Sequence, residues 1–593
     1  MPLIEIGRSG GGAALIASAP GFAVPIAAGG QIAQLSQPFG AGTLYETVGT
    51  VPGQLALAGG AIVAGSAGAA GGQSYALKVR ARSGDGAREV AETLRFAATG
   101  AAPAGSYLPA VSIAPQSVHA TAAVVAGWGG ALMQLARVQD GATMAVAPGS
   151  DQFASLSAVD SWAGASAVAV ATWHDQSGNG NDATQASAGN RPLFARANAL
   201  RGRPAFTTGI VAASGMTGST FLNRAGVTNA RQAVTVISVM APIGGPEVAT
   251  NGYWGLGTDG TAGANLTLYR DVSGNLARIY PLANAAASAG MPTPSSGQPS
   301  VFTLRSGTGT NALKLRVNGA ETSAATATAL ALTGGYIGKG TFASASRGPA
   351  HHLFEAVYPG VLADPEVAQI EAYLAGLFDI AMAPTRALVF DGDSITNGIT
   401  DSPVYGRNLP FQTLPLLDTR VYAPDFAIFG QTSAQIHARR AATIGQGYAG
   451  TRTRNVIAAL MGSNDIAGLA SGAIVGGETA IWGNAILPYA QAMKAAGFAL
   501  VLGTVIPRSW AGSAQDRSER EGVRQALNAL IRDNAGAQGY AVADYGGLAA
   551  LSQGDALNSP HPATYGVDLI HPSAAGYAPM AALLAQAANP LLA

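Results

Sequence analysis

The sequence predicts a multidomain protein: an N-terminal β-sandwich, a long central β region closed by one helix, and a C-terminal α/β unit built on a doubly wound, five-stranded parallel sheet. Three observations predict it. The 593 residues are more than one hydrophobic core can enclose. Over roughly the first 360 residues, apolar residues fall in short runs punctuated by glycine turns. Beyond Pro384 the period changes, and apolar runs of strand length alternate with helical stretches.

The first unit spans residues 1–98. Leu55-Ala56-Leu57 and Ala61-Ile62-Val63 flank Gly59-Gly60, a hairpin signal. Tyr75, Leu77 and Val79 then alternate before the turn Ser83-Gly84-Asp85-Gly86, and a last run ends near Phe96. The pattern loosely resembles immunoglobulin-like or cadherin-like modules, which implies a structural adaptor. The apolar stretch Ala13 to Ala28 is broken by Pro20 and Pro25 and has only Arg8 as a positive charge ahead of it. It reads as mature structure rather than a secretory leader.

Thr99 to Ser106 is an Ala/Gly/Pro linker, and the second unit occupies residues 107–380. It carries Trp173-His174-Asp175-Gln176-Ser177-Gly178-Asn179-Gly180-Asn181-Asp182, followed by Arg191-Pro192, and closes on His352 to Tyr358. On those residues it resembles concanavalin A-like, laminin-G-type domains, which implies a jelly roll. Leu362-Ala363-Asp364-Pro365 then predicts a helix to about Phe378, with Asp364 as N-cap and Pro365 at the first helical position. Asp175, Ser177, Asn179 and Gly180 reproduce the first half of a calcium-loop spacing, but Ala186 stands where the twelfth-position carboxylate belongs. A metal-free turn is therefore expected over 175–182. Trp128, Trp162, Trp173 and Trp254 are expected in the core, with one or two exposed at most.

The third unit covers residues 385–593. Strands are expected at Ala387 to Phe390, Phe426 to Phe429, Val456 to Met461, Leu500 to Ile506 and Tyr540 to Ala543, with helices such as Ala485 to Ala496 and Arg520 to Arg532 between them. In such a sheet, ligands bind beyond the carboxyl ends of the strands. Ser394, Gly430 and Asn464 each fall just past such an end, so three separate pieces of chain should converge on one rim.

Four blocks occupy that rim in order: Gly392-Asp393-Ser394, Gly430-Gln431-Thr432-Ser433, Gly462-Ser463-Asn464-Asp465 and Asp568-Leu569-Ile570-His571. Together they resemble the SGNH, or GDSL-type, serine hydrolases, which implies a flavodoxin-like sheet and an ester-cleaving site. A serine hydroxyl needs a base poised near neutral pH. Of the seven histidines, His571 is the best placed, because Asp568 three residues earlier can accept its Nδ1–H. The resemblance implies that Ser394 attacks, His571 relays the proton and Asp568 steadies the imidazolium. It further implies an oxyanion hole of the Ser394 N–H, the Gly430 N–H and the Asn464 amide. The family's second block commonly starts on asparagine and holds an extra glycine, whereas Asp425 and Ala427 stand here. Arg508 is a candidate substrate contact, although a solvent-exposed loop residue is the plainer reading. Asp393 and Asp465 are read as turn stabilisers.

Composition bounds the partners. Net charge is zero with 11% charged residues and no basic run, so no nucleic-acid surface is expected. Cysteine is absent, which rules out disulfides and thiolate metal sites; no cofactor and no metal are expected. No uninterrupted apolar run reaches membrane-spanning length, so no membrane insertion is expected. The expected function is an esterase removing small acyl groups, acetyl foremost, from a polysaccharide. The setting is extracellular or a virion tail, where the chain could be a homotrimer. Alternatives are a secreted bacterial carbohydrate esterase, a lipase, or a glycan-binding adhesion protein without turnover.

Overall fold

The structure is a computed structural model. Within residues 1–106 it describes only strand segments. From 107 to 593 it describes all residues except 150, 196–202, 209–219, 230–232, 243–250, 258–264, 272–275, 282–289, 293–297, 308, 327–331, 340–349 and 399–407.

The N-terminal segments form two antiparallel sheets. One joins Ala17–Ser18, Gln31–Leu35, Ala61–Ala64 and Leu55–Ala58; the other joins Leu44–Thr47, Ser74–Arg82 and Glu89–Ala97. Ala58 faces Ala61 in the ladder, which is the two-residue hairpin that Gly59-Gly60 signals. How these sheets pack, the linker 99–106 and most of the apolar stretch 13–28 lie outside the described residues.

The middle of the chain is one large antiparallel network. Its central strand, Val234–Pro242, pairs with Ser300–Ser306 on one side and Ala350–Tyr358 on the other, and every residue in it is buried. Strand alternation explains this. Ile237, Val239 and Ala241 face a core shared with helix Asp364–Phe378, while Val234, Val236 and Met240 face Trp254, Leu256 and Leu266 in a second layer. Trp173 and Trp254 are fully buried, and Trp128 and Trp162 partly so.

The helix departs from expectation in one detail. Ala363, not Asp364, is its N-cap, and the Glu366 carboxylate accepts the Ala363 N–H at 2.9 Å. Asp364 is drawn away because it pairs with Arg305 of the underlying sheet. Two turns further, buried Glu371 accepts both Nε and Nη2 of Arg316, at 3.0 and 2.9 Å, and the Thr303 hydroxyl at 2.7 Å. Charge thus fixes where the helix lies on a sheet whose apolar contacts alone would let it slide. The Asp175 loop is pinned similarly: its carboxylate accepts from the N–H groups of Val118, Ser177 and Asn181 and from the Ser177 hydroxyl, so its oxygens are already engaged by protein donors.

In the third unit, Arg386–Gly392, Arg454–Leu460, Ala499–Gly503 and Ala541–Ala543 form a parallel sheet in that spatial order. The expected strand at Phe426 to Phe429 is displaced. Chain from Tyr422 to Ile428 runs beside the first strand, held by Tyr422 N–H to Arg386 O, Phe426 N–H to Phe390 O and Ile428 N–H to Gly392 O. Only Tyr422 and Asp425 form bridges, because Pro424 has no N–H to give the ladder. The first strand is therefore flanked on both sides, and its two neighbours leave it in opposite directions.

Alternation again sorts the faces. Val389, Ile457 and Leu500 pack under Leu487–Ala495 and Ala514–Asp533, while Leu388, Phe390 and Val456 pack under Leu409–Thr413 and Ala574–Leu592. The central unit covers the sheet's open edge: buried Gln298 accepts the Ala423 N–H at 2.9 Å and donates to Val421 O at 2.6 Å, mimicking one rung of a further strand. Arg420 pairs with Asp379 beside it, and Ala383 N–H donates to Asn318 O, so the segment 381–386 is fastened rather than a free tether.

Glu371→Ala should lower stability by about 2 kcal/mol, since it leaves the mostly covered Arg316 guanidinium with only its longer contact to Glu321 and the Thr303 hydroxyl without its acceptor. Thermal unfolding of the full chain checks this; an unchanged midpoint would show that the Arg316 contact fixes no register.

Candidate active site

The first strand ends on Gly392 at φ 148°, in a conformation that side chains rarely adopt. A Cβ there would lie 2.4 Å from Leu460 O and 2.6 Å from the Thr396 hydroxyl oxygen. The missing side chain lets the chain turn sharply into Ser394–Asn397, placing Ser394 first in that turn. Asp393 caps it by accepting the Ile395 N–H at 2.9 Å.

The Ser394 Oγ lies 2.8 Å from His571 Nε2, although 177 positions separate the two residues. His571 Nδ1 is 2.6 Å from Asp568 Oδ2. Asp568 Oδ1 also accepts the N–H groups of Ile570 and His571, at 3.0 and 3.1 Å, which winds 568–571 into a tight turn. Leu569 takes a left-handed φ of 53° to allow it, and its carbonyl accepts the Ser509 N–H. Burial pushes the Asp568 carboxyl up, but the His571 side chain and those two backbone donors outweigh it, and the group sits below the ordinary carboxylate range. With a proton on Nδ1 directed at that anion, Nε2 is left to accept from the Ser394 hydroxyl.

Ser394, Gly430 and Asn464 do meet at this rim. Among the described residues, no acceptor takes the N–H of Ser394 or of Gly430. The Asn464 amide is engaged, donating to Gln431 O at 3.0 Å and to Asp393 Oδ2 at 3.3 Å, so serving an oxyanion would mean exchanging the longer bond. Gly462, at φ 110°, starts the helix Ser463–Ala467 that carries it. Asp465 accepts the Ser433 N–H at 2.8 Å and Asp425 that of Ala427 at 2.9 Å; both brace the second block.

Arg508 differs from expectation, whereas Asp393 caps the serine turn as expected. Arg508 is half-buried rather than a free loop residue: it donates to the Ser463 hydroxyl at 3.0 Å and lies 5.3 Å from the Trp510 ring. Asp393 is wholly buried, and its pKa is pushed up to about 7 by burial, against the Ile395 N–H and the Arg508 charge and with the help of Asp465. The sequence reading missed Phe429, half exposed and stacked 5.9 Å from the His571 ring. It also missed the pairing of Asp391 with Arg439 directly behind the serine turn. An aspartate closing an apolar strand signalled that a buried cation was needed, though not which one.

The GDSL-like Lipase/Acylhydrolase family matches residues 390–578. No curated protein matches the chain. Among solved structures, a GDSL-like lipase from Bacteroides thetaiotaomicron is 27% identical, with 34% of this chain and 87% of that one covered and a TM-score of 0.27. A catalytic mutant of an acetylxylan esterase from Geobacillus stearothermophilus is 20% identical, with 34% and 92% covered and a TM-score of 0.26. An arabinofuranosidase complexed with arabinofuranosyl-alpha-1,2-xylobiose is 18% identical over 46% of this chain, at a TM-score of 0.37; the match spans 64% of that protein.

Gly392→Ala should cost about 2–4 kcal/mol, because the Leu460 carbonyl on one side and the Thr396 side chain on the other block the new methyl. Soluble yield and the unfolding midpoint check this, and a wild-type midpoint would mean the turn can relax. Asp393 gives a signed pH test. Its folded pKa lies above the ordinary 3.8, so the folded state holds a proton that the unfolded chain releases, and stability drains as pH rises from about 4 to about 7. Relative to wild type, Asp393→Asn should therefore gain melting temperature steadily over that range and level off above it. A difference independent of pH would contradict the assignment.

Proposed function

We propose, from the premise that residues 390–578 form a GDSL-type lipase/acylhydrolase domain, that this protein is a serine esterase acting on small acyl groups, acetyl foremost, carried by a polysaccharide. One observation carries the ester chemistry: Ser394, His571 and Asp568, brought from distant parts of the chain, stand in an unbroken hydrogen-bonded series of 2.8 and 2.6 Å.

In this reading His571 Nε2 takes the Ser394 proton as Oγ attacks the ester carbonyl, and Asp568 stabilises the imidazolium. The N–H groups of Ser394 and Gly430 receive the oxyanion, joined by the Asn464 amide as it releases Asp393. Protonated His571 hands its proton to the leaving alcohol oxygen, and the acyl group stays on Ser394. A water, deprotonated by the same nitrogen, then frees the acid and restores the serine.

The carbohydrate part of the reading draws on the rim and the modules. Phe429 offers an exposed ring beside His571, of a size to lie against a sugar face, and Val567 next to Asp568 is fully exposed. The β-rich units preceding the enzyme fit a protein that holds an extended glycan, as in a virion tail component acting on capsule or lipopolysaccharide, assembled as a homotrimer. No helix among the described residues is long and apolar enough to cross a membrane.

The purified full chain should release acetate from acetylated glycans and from a chromogenic acetate ester. Ser394→Ala should remove at least about 10⁴-fold of that rate without changing the unfolding midpoint downward. Equal turnover in the variant would take Ser394 out of the reaction.

A further inference from the structure

The Arg439 guanidinium stands behind the site, bound to two of the loops that build it. Its Nη2 donates to Asp391 Oδ1 at 2.5 Å and to the Gly392 carbonyl at 3.2 Å, gripping the strand end that projects Ser394. Its Nε donates to Gln431 Oε1 at 2.6 Å, in the loop immediately after Gly430. Nη1 reaches the Thr443 hydroxyl at 3.3 Å. Gln431 in turn holds the third loop, because its carbonyl accepts the Asn464 amide at 3.0 Å.

The anion at the other end is equally constrained. Asp391 is fully buried and accepts the Tyr489 hydroxyl at 2.6 Å, the Thr443 hydroxyl at 3.3 Å and the Gly392 N–H at 2.8 Å. A planar guanidinium between a fixed carboxylate and a loop amide sets one separation between them, which a flexible ammonium would not.

We infer that Arg439 is a positioning residue for the oxyanion hole, setting the spacing between the donors on Ser394, Gly430 and Asn464 while touching none of the reacting atoms. The inference rests on the esterase reading above. Donor placement within a fraction of an ångström decides how much of the developing charge is stabilised, whereas substrate binding in the ground state depends on it little.

The test compares wild type, Arg439→Met, Arg439→Lys, the double variant Asp391→Asn/Arg439→Met and Ser394→Ala on a chromogenic acetate ester, with unfolding midpoints measured alongside. The double variant removes the buried charge that Arg439→Met alone would strand, so it separates positioning from folding. Arg439→Met should lose about 10- to 100-fold in kcat with KM within about threefold. Arg439→Lys should recover only part of it. The double variant should regain the midpoint without regaining kcat. Recovery of kcat together with the midpoint in the double variant, or wild-type kcat in Arg439→Met, would overturn the inference while leaving the esterase reading intact. Failure of that reading shows separately, as absent turnover in wild type or unchanged turnover in Ser394→Ala.

Discussion

The strand Arg386–Gly392 is paired in parallel on both sides, with Arg454–Leu460 on one flank and the Tyr422 to Ile428 segment on the other. Parallel neighbours in register end at the same level. The turns after Gly392, Phe429 and Leu460 therefore open onto one rim, at the point where the chain departs to opposite sides of the sheet. The fourth piece, Asp568 to His571, arrives from the far end of the domain and is held by its own turn. A rigid ladder supplies the floor, and each functional side chain needs only a short, locally braced loop to reach the centre.

Two buried aspartates two residues apart show how differently burial can be handled. Asp391 is met by Arg439, a tyrosine hydroxyl and a threonine hydroxyl, and becomes a fixed anchor behind the serine turn. Asp393 has amide donors and, among the described residues, no ion pair, with Arg508 acting on it only through longer-range charge, and burial raises its pKa to about 7. The first arrangement holds geometry; the second makes the carboxyl beside the Asn464 amide easier to protonate. Both sit on one strand end because its alternation points Asp391 beneath the sheet and the Gly392 turn then redirects Asp393 across the rim.

The central unit is more than an appendage. Gln298 completes the exposed edge of the parallel sheet, and the Arg420–Asp379 pair lies beside it. The β-rich unit thus covers the edge of the parallel sheet beside Tyr422 to Ile428, which orients that unit relative to the rim. Within the central unit, the Arg316–Glu371 and Arg305–Asp364 contacts do for the closing helix what Gln298 does for the edge strand: polar groups with directional demands set positions that apolar packing leaves loose.

Local chemistry made much of this legible. Gly392 before Asp393-Ser394, the Asp568–His571 spacing, the Gly59-Gly60 hairpin and the Asp364 to Phe378 helix are short-range patterns, in which a residue's neighbours along the chain decide its backbone. Long-range partners were not legible. Pro424 moved the edge pairing away from Phe426 to Phe429, Arg305 drew Asp364 out of its capping role, and Ser463 fastened Arg508. In each case the deciding group lies elsewhere in sequence and is brought close only by the fold. Side-chain type and backbone preference are local, so the order of residues already tells which of them can do chemistry and where the chain must turn. Which charges pair and which loops are tied together emerges with the folded arrangement, because it depends on distances that no spacing along the chain encodes.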